Sequence, residues 1–169
     1  MKAAITIALD AMGGDFAPKS VVGGAAIAHR RLPAVRFILF GDKTKLNALV
    51  QSYPKLMEVV EVRHTPISIS NSEKPSQALR KGTESSMRLA IDSVKNGDAA
   101  GVVSAGNTGA LFVIAKLNLN MIENIDKPAL SGLWPNKLGM NVVLDLGANI
   151  ECNEKNLVDF SIMGAALHK

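Results

Sequence analysis

The sequence predicts an α/β protein of three layers, a mostly parallel sheet between two layers of helices. Short apolar runs alternate with longer helical patterns along the chain. Those runs carry apolar residues on both faces rather than at every second position only, as strands buried on both faces do. Hydrophobic residues make up 47% of the 169 residues and aromatics only 4%, so the core is built from aliphatic and alanine side chains. That length is enough for one α/β domain spanning residues 1–169.

The elements follow in order. "AITIAL" (4–9) reads as a buried strand ending at Asp10. Pro18 suits the first turn of a helix that runs to about Leu32, with Asp15 read as its cap. "VRFILFG" (35–41) is the second strand, and Asp42 can cap a helix over about 43–52. "EVVEVRH" (58–64) is the third. The polar stretch 65–75 reads as an exposed loop. A helical pattern from about Ser76 to Lys95 has an interruption near Gly82, and Asn96-Gly97 supplies a C-cap. "AAGVVSA" (99–105) is the fourth strand and "TGALFVIAKLNL" (108–119) an apolar helix. "PALSGLW" (128–134) and "NVVLDLG" (141–147) are read as further strands of the sheet. The last helix carries an apolar stripe of Leu157, Phe160, Ile162, Met163 and Leu167. It still needs a neighbour, as an α/β unit cut off before completion would.

Composition excludes several classes. The net charge of +4, from 19 Lys+Arg against 15 Asp+Glu, suits an anionic substrate or acidic protein partner. No dense basic stripe with interleaved aromatics marks a nucleic-acid binder. No run of 18 apolar residues and no signal-type N-terminus is present. The single cysteine, Cys152, excludes an internal disulfide and a multi-cysteine zinc site, which reads as an intracellular chain.

In open parallel sheets ligands bind beyond the carboxyl ends of the strands. Three polar, glycine-containing loops fall there: "DAMGGD" (Asp10, Gly13, Gly14, Asp15), "SAGNTG" (104–109) and "DLGAN" (Asp145, Gly147, Asn149). In "SAGNTG", Gly106 and Gly109 let the backbone approach a ligand, and Asn107 or Thr108 can cap the next helix. The amide protons at that helix start form an anion site; a plain strand–turn–helix connection is the competing reading. Neither G-x-G-x-x-G nor a Walker loop is present. Asp10 and Asp145 end buried strands and need partners there. Arg80, Lys81 and Arg88, with Ser85 and Ser86, either offer further anion donors or form a solvated helix face. Cys152 reads as a packing residue, because none of His29, His64 and His168 sits where it can pair with it.

"DAMGGDFAP", "KPSQALR…SSM", "SAGNTGA", "KPAL…P", "LDLGAN" and "LVDFSIMG" resemble, in that order, the motifs of the bacterial phosphate acyltransferase (PlsX) family. The resemblance runs from about residue 4 to the last residues and corresponds to the N-terminal half of that family. It implies a Rossmann-like α/β/α fold similar to isocitrate and isopropylmalate dehydrogenases. It also implies transfer of a fatty acyl group from acyl carrier protein to inorganic phosphate, giving an acyl phosphate for phospholipid synthesis. The implied enzyme is a cytoplasmic homodimer, peripheral at the inner face of the membrane. It needs no metal or nucleotide cofactor and hands its product to a glycerol-3-phosphate acyltransferase. Phosphate attacks the thioester directly, so the site must hold a dianion and stabilise an oxyanion. The candidate catalytic residues are Asp10, Asn107, Asp145 and Asn149. The candidate substrate- and phosphate-binding residues are Gly13, Gly14, Ser86, Ser104, Gly106, Thr108, Gly109 and Gly147.

The sequence departs from the family in "KGTE" before "SSM", in "SGLWPNKLG", and in length, which is about half that expected. Part of the site is therefore expected to lie outside these residues. Competing readings are a phosphotransacylase using coenzyme A thioesters, a non-catalytic module binding acyl carrier protein, and an NAD-dependent dehydrogenase.

Overall fold

The computed structural model describes residues 5–168. The single domain expected over residues 1–169 is observed as two compact units that divide between Leu119 and Asn120.

The first unit contains β1 (Ile5–Asp10), α1 (Lys19–Arg31), β2 (Val35–Gly41), α2 (Lys43–Val50), α3 (Pro54–Met57), β3 (Val60–His64), α4 (Pro75–Lys81), α5 (Ser86–Lys95), β4 (Gly101–Val103) and α6 (Thr108–Asn118). Its four strands are parallel, in the order β3-β2-β1-β4. Successive strand residues point to opposite faces, which explains why apolar residues occupy both faces of β1 and β2. Leu9, Phe37 and Leu39 pack against Val22, Leu46 and Leu56 of α1, α2 and α3. Their neighbours Ala8, Ile38 and Phe40 pack on the other face against Ala90 of α5. Met87 and Ile91 of α5 join Ala110 and Ile114 of α6 in an outer cluster. This is the three-layer architecture the sequence predicts.

Local chemistry sets the helix ends. Asp42 Oδ1 accepts from the amides of Thr44 and Lys45 at 3.0 and 3.2 Å and starts α2. The helical stretch 76–95 is two helices. Ser85 accepts from the Arg88 amide and donates to the Gly82 carbonyl, so α5 begins anew after Gly82. Gly97, at φ +80°, closes its far end in a left-handed conformation. Helix α1 starts at Lys19 with Pro18 in the N-cap position and no side-chain cap. The capping role expected of Asp15 is thus not observed.

The second unit contains β5 (Ser131–Asn136), β6 (Gly139–Leu144) and α7 (Glu154–Leu167). The strands expected here as members of the parallel sheet pair with each other instead. They form an antiparallel hairpin closed at Asn136 and Gly139. The reason is the connection: only Lys137 and Leu138 link them, and a parallel pair needs a crossover of about a dozen residues or more. Helix α7 opens on a capping box between Asn153 and Asn156. Of its predicted stripe Phe160 is buried, while Leu157, Ile162 and Leu167 are exposed. Among the described residues no helix is long and apolar enough to cross a membrane.

Candidate anion-binding site

Strand β1 delivers Asp10 to the carboxyl-end rim of the sheet, where it is only 2% exposed. Its Oδ1 accepts from Ser86 Oγ at 2.5 Å and its Oδ2 from Ser104 Oγ at 2.7 Å. One carboxylate therefore ties together β1, the first residue of α5 and the turn after β4. Ser104 Oγ in turn accepts from the Gly106 amide at 3.1 Å. This chain of bonds fixes the shape of residues 104–106.

The glycines leave room for that junction. A Cβ on Gly13 would overlap the Asp10 carboxylate and lie 2.9 Å from Ser104 Oγ. A Cβ on Gly106 would lie 3.1 Å from Gly13 Cα. Gly14 adopts φ +103°, and a side chain there would press on the Ala105 carbonyl. The structure thus brings together Asp10, Gly13, Gly14, Ser86, Ser104 and Gly106. Gly13→Ala is expected to destabilise the first unit by about 2 kcal/mol, because the added methyl has no space to enter. The midpoint of urea denaturation measures it; an unchanged midpoint would show that the junction yields freely.

Asn107 is the N-cap of α6: its Oδ1 accepts from the Ala110 amide at 3.0 Å. Its Nδ2 donates to the carbonyls of Ser70, Asn71 and Glu73 at 3.1, 3.2 and 2.7 Å. Both ends of the side chain are therefore committed within the protein. Asp15 adds a second strap, accepting from Asn71 Nδ2 at 2.7 Å. The stretch 65–75, expected as a plain exposed loop, is held down along its length. Thr65 and Ile69 are buried, and Thr65 Oγ1 donates to the Glu84 carbonyl at 2.6 Å. Nothing in the periodicity of 65–75 signals this strap, because its partners are single side chains distant in sequence.

The backbone amides of Asn107, Thr108 and Gly109 find no acceptor among the described residues. They are consecutive and stand at the positive end of an eleven-residue helix. Thr108 is exposed at this end. Gly109 has a packing reason as well, since a Cβ there would come 2.8 Å from Pro75 Cγ of α4. Two basic side chains of this region have partners within their own helices. Arg88 pairs with Asp92 at 3.2 Å, and Arg80 Nε donates to the Ser76 carbonyl. The side chain of Lys81 lies outside the described residues.

In the second unit Asp145 takes a left-handed conformation, φ 59°. Its Oδ1 accepts from the amide and Nδ2 of Asn149 at 3.2 and 2.8 Å, and Asn149 Nδ2 also donates to the Pro128 carbonyl at 3.0 Å. Gly147, at φ +79°, donates its amide to the Asp145 carbonyl and tightens the turn. The Asn149 bonds, then Cys152 and the charge of Lys127, hold the Asp145 carboxyl below its ordinary range despite some desolvation. Desolvation and the Asp145 carboxylate push the Cys152 thiol above its ordinary range, the reverse of what a helix N-terminus does for a nucleophile. Alkylation of the exposed Cys152 by iodoacetamide at pH 7.5 is therefore expected to be slower than that of a free thiol. Asp145→Asn should speed it several-fold; an unchanged rate would show that the carboxylate does not govern the thiol.

A parallel α/β sheet with a glycine-lined turn and unpaired amides at a following helix is an anion-binding frame, phosphate being its usual occupant. The chain belongs to the fatty acid synthesis protein family, whose model matches residues 5–169. It is similar to the phosphate acyltransferases of Paramagnetospirillum magneticum, 51% identical over 97% of this chain, and of Rhodospirillum centenum, 53% identical over 96%. It is also 51% identical to that of Pelagibacter ubique over 100% of the chain. The chain spans about half the length of these relatives, 47%, 46% and 50% respectively.

Proposed function

We propose that this chain supplies the phosphate-holding half of an acyltransferase active site. The reaction moves a fatty acyl group from acyl carrier protein to inorganic phosphate, giving an acyl phosphate for phospholipid synthesis. The carrying observation is the row of three unpartnered amides at Asn107–Gly109, set on the Asp10–Ser104–Gly106 bond chain. A phosphate oxygen attacks the thioester carbonyl; the C–O bond forms, the C–S bond breaks, and the proton lost by hydrogen phosphate ends on the leaving thiol. The chain's share is to bind and align the dianion with fixed amide dipoles, which need no reorganisation during reaction. Asp10 acts here as a positioning residue through Ser104, and Asn107 as the cap that fixes the helix start. Asp145 and Asn149 shape the second turn, and Gly147 permits it.

The family and the relatives' names support this reading. The resemblance of the motifs supports the rest: a homodimer working in the cytoplasm, peripheral contact with the membrane, and transfer of product to a glycerol-3-phosphate acyltransferase. The test is acyl phosphate formation from acyl carrier protein thioesters and phosphate, by this chain and by a version extended to the relatives' length. Turnover by the extended protein with acyl carrier protein as donor is expected. Turnover only with coenzyme A thioesters would overturn the reading.

A further inference from the structure

In a parallel sheet each helix carries the chain back from the carboxyl ends of the strands to their amino ends. The last turn of α1 and the whole of α3 lead into β2 and β3, so they stand at the rim opposite Asp10. A cavity of about 400 Å³ opens between them. Ala26 and Ile27 of α1 give it an apolar wall. Arg30 lines it from α1, Lys55 from α3, and Tyr53 from the turn before α3.

The charge around this cavity has one sign. Arg30 and Lys55 line it, and no carboxylate does. Neither cation makes an ion pair among the described residues. The last turn of α1 is basic, with His29, Arg30 and Arg31, as the negative end of a helix favours. That accounts for Arg30 but not for Lys55, which borders the same space from another helix. Two like charges on one space repel each other, and an anion between them converts that repulsion into attraction.

His29 adds an independent sign. Its side chain lines the cavity. Its Nδ1 is, among the described residues, the one buried side-chain nitrogen or oxygen without a hydrogen-bond partner. Buried polar groups in folded proteins are otherwise paired, so this nitrogen calls for a partner. Tyr53 Oη lies 3.6 Å from where a Cβ on Gly23 would stand, which places a phenol hydroxyl against the α1 wall.

We infer that this cavity binds an anionic amphiphile: a carboxylate or phosphate-monoester head between Arg30 and Lys55, and a short aliphatic body on Ala26 and Ile27. Its volume falls within the range of small-molecule sites, about 300–1,000 Å³. It lies at the opposite end of the sheet from the amides of Asn107–Gly109, so the inference stands apart from the chemistry proposed above.

Calorimetric titration of this chain with decanoate and with decyl phosphate tests it. Inorganic phosphate and decanol serve as the head and the tail alone. At least one amphiphile is expected to bind with a Kd of about 10–100 μM, and head and tail alone about tenfold or more weakly. The tighter of the two amphiphiles identifies the head group. Arg30 and Lys55 are exposed, so Arg30→Gln and Lys55→Gln leave the fold intact; each is expected to weaken binding about tenfold. In NMR spectra of the imidazoles, the His29 signals should move on binding while those of His64 and His168 stay. No saturable binding below about 1 mM, or equal affinity for decanol, would overturn the inference. So would an affinity unchanged by the two substitutions together, or movement of the His64 or His168 signals in place of those of His29. Acyl phosphate formation is read separately, and either result can fail while the other stands.

Discussion

Asp10→Ala is expected to destabilise the first unit by roughly 3–5 kcal/mol, from the loss of two hydrogen bonds to a carboxylate at about 1.5–3 kcal/mol each. The carboxylate is buried and each oxygen accepts one hydroxyl, from Ser86 and Ser104. Alanine deletes both bonds and leaves the buried Ser86 hydroxyl facing a void. The loss is a large part of the 5–15 kcal/mol that typically holds a domain folded. Asp10→Asn retains one acceptor and should cost about half as much. Thermal and urea denaturation of the three proteins measure this ordering. If Asp10→Ala and Asp10→Asn were both within error of the parent, Asp10 would not be the residue that ties the turn together.

Asn107→Ala is expected to cost about 2–4 kcal/mol, roughly 1 kcal/mol for the helix cap and the rest for its amide bonds to the loop. Its effect should be concentrated. Residues 70–73 lose the amide that binds three of their carbonyls, so hydrogen exchange in 65–75 should rise far more than in β1 or β2. In the extended enzyme the same substitution is expected to raise the phosphate KM, because the amides of Thr108 and Gly109 are no longer held in place. Were both KM and kcat unchanged, the α6 start would not be the phosphate site.

These two residues also show how far the sequence could be read. Asp10 is recognisable as a carboxylate at the end of a buried strand, which must find partners. Ser86 and Ser104, the partners it finds, lie 76 and 94 residues away, and no local pattern pairs them. Asn107 is recognisable, with Thr108, as one of two candidate helix caps, because capping depends on the next three residues; the structure decides for Asn107. Its amide is a different matter: it binds carbonyls 34 to 37 residues away. The side-chain amide of this candidate catalytic residue is thereby occupied by the 70–73 loop. Asp15 followed the same course, read as a cap and found as the partner of Asn71.

What the sequence determined by itself is what depends on neighbours along the chain: the alternation of strands and helices, the buried parallel character of β1 and β2, the cap at Asp42 and one at Asn107 or Thr108, the break near Gly82, and the family motifs. Only the tertiary structure decided which residues meet. It paired β5 with β6 because two residues cannot span a parallel crossover. It set Gly13 and Gly106 against each other because two turns share one carboxylate. It left the sheet face between α1 and β4 exposed, with Val103 57% accessible, because which faces find cover depends on contacts between elements far apart in sequence.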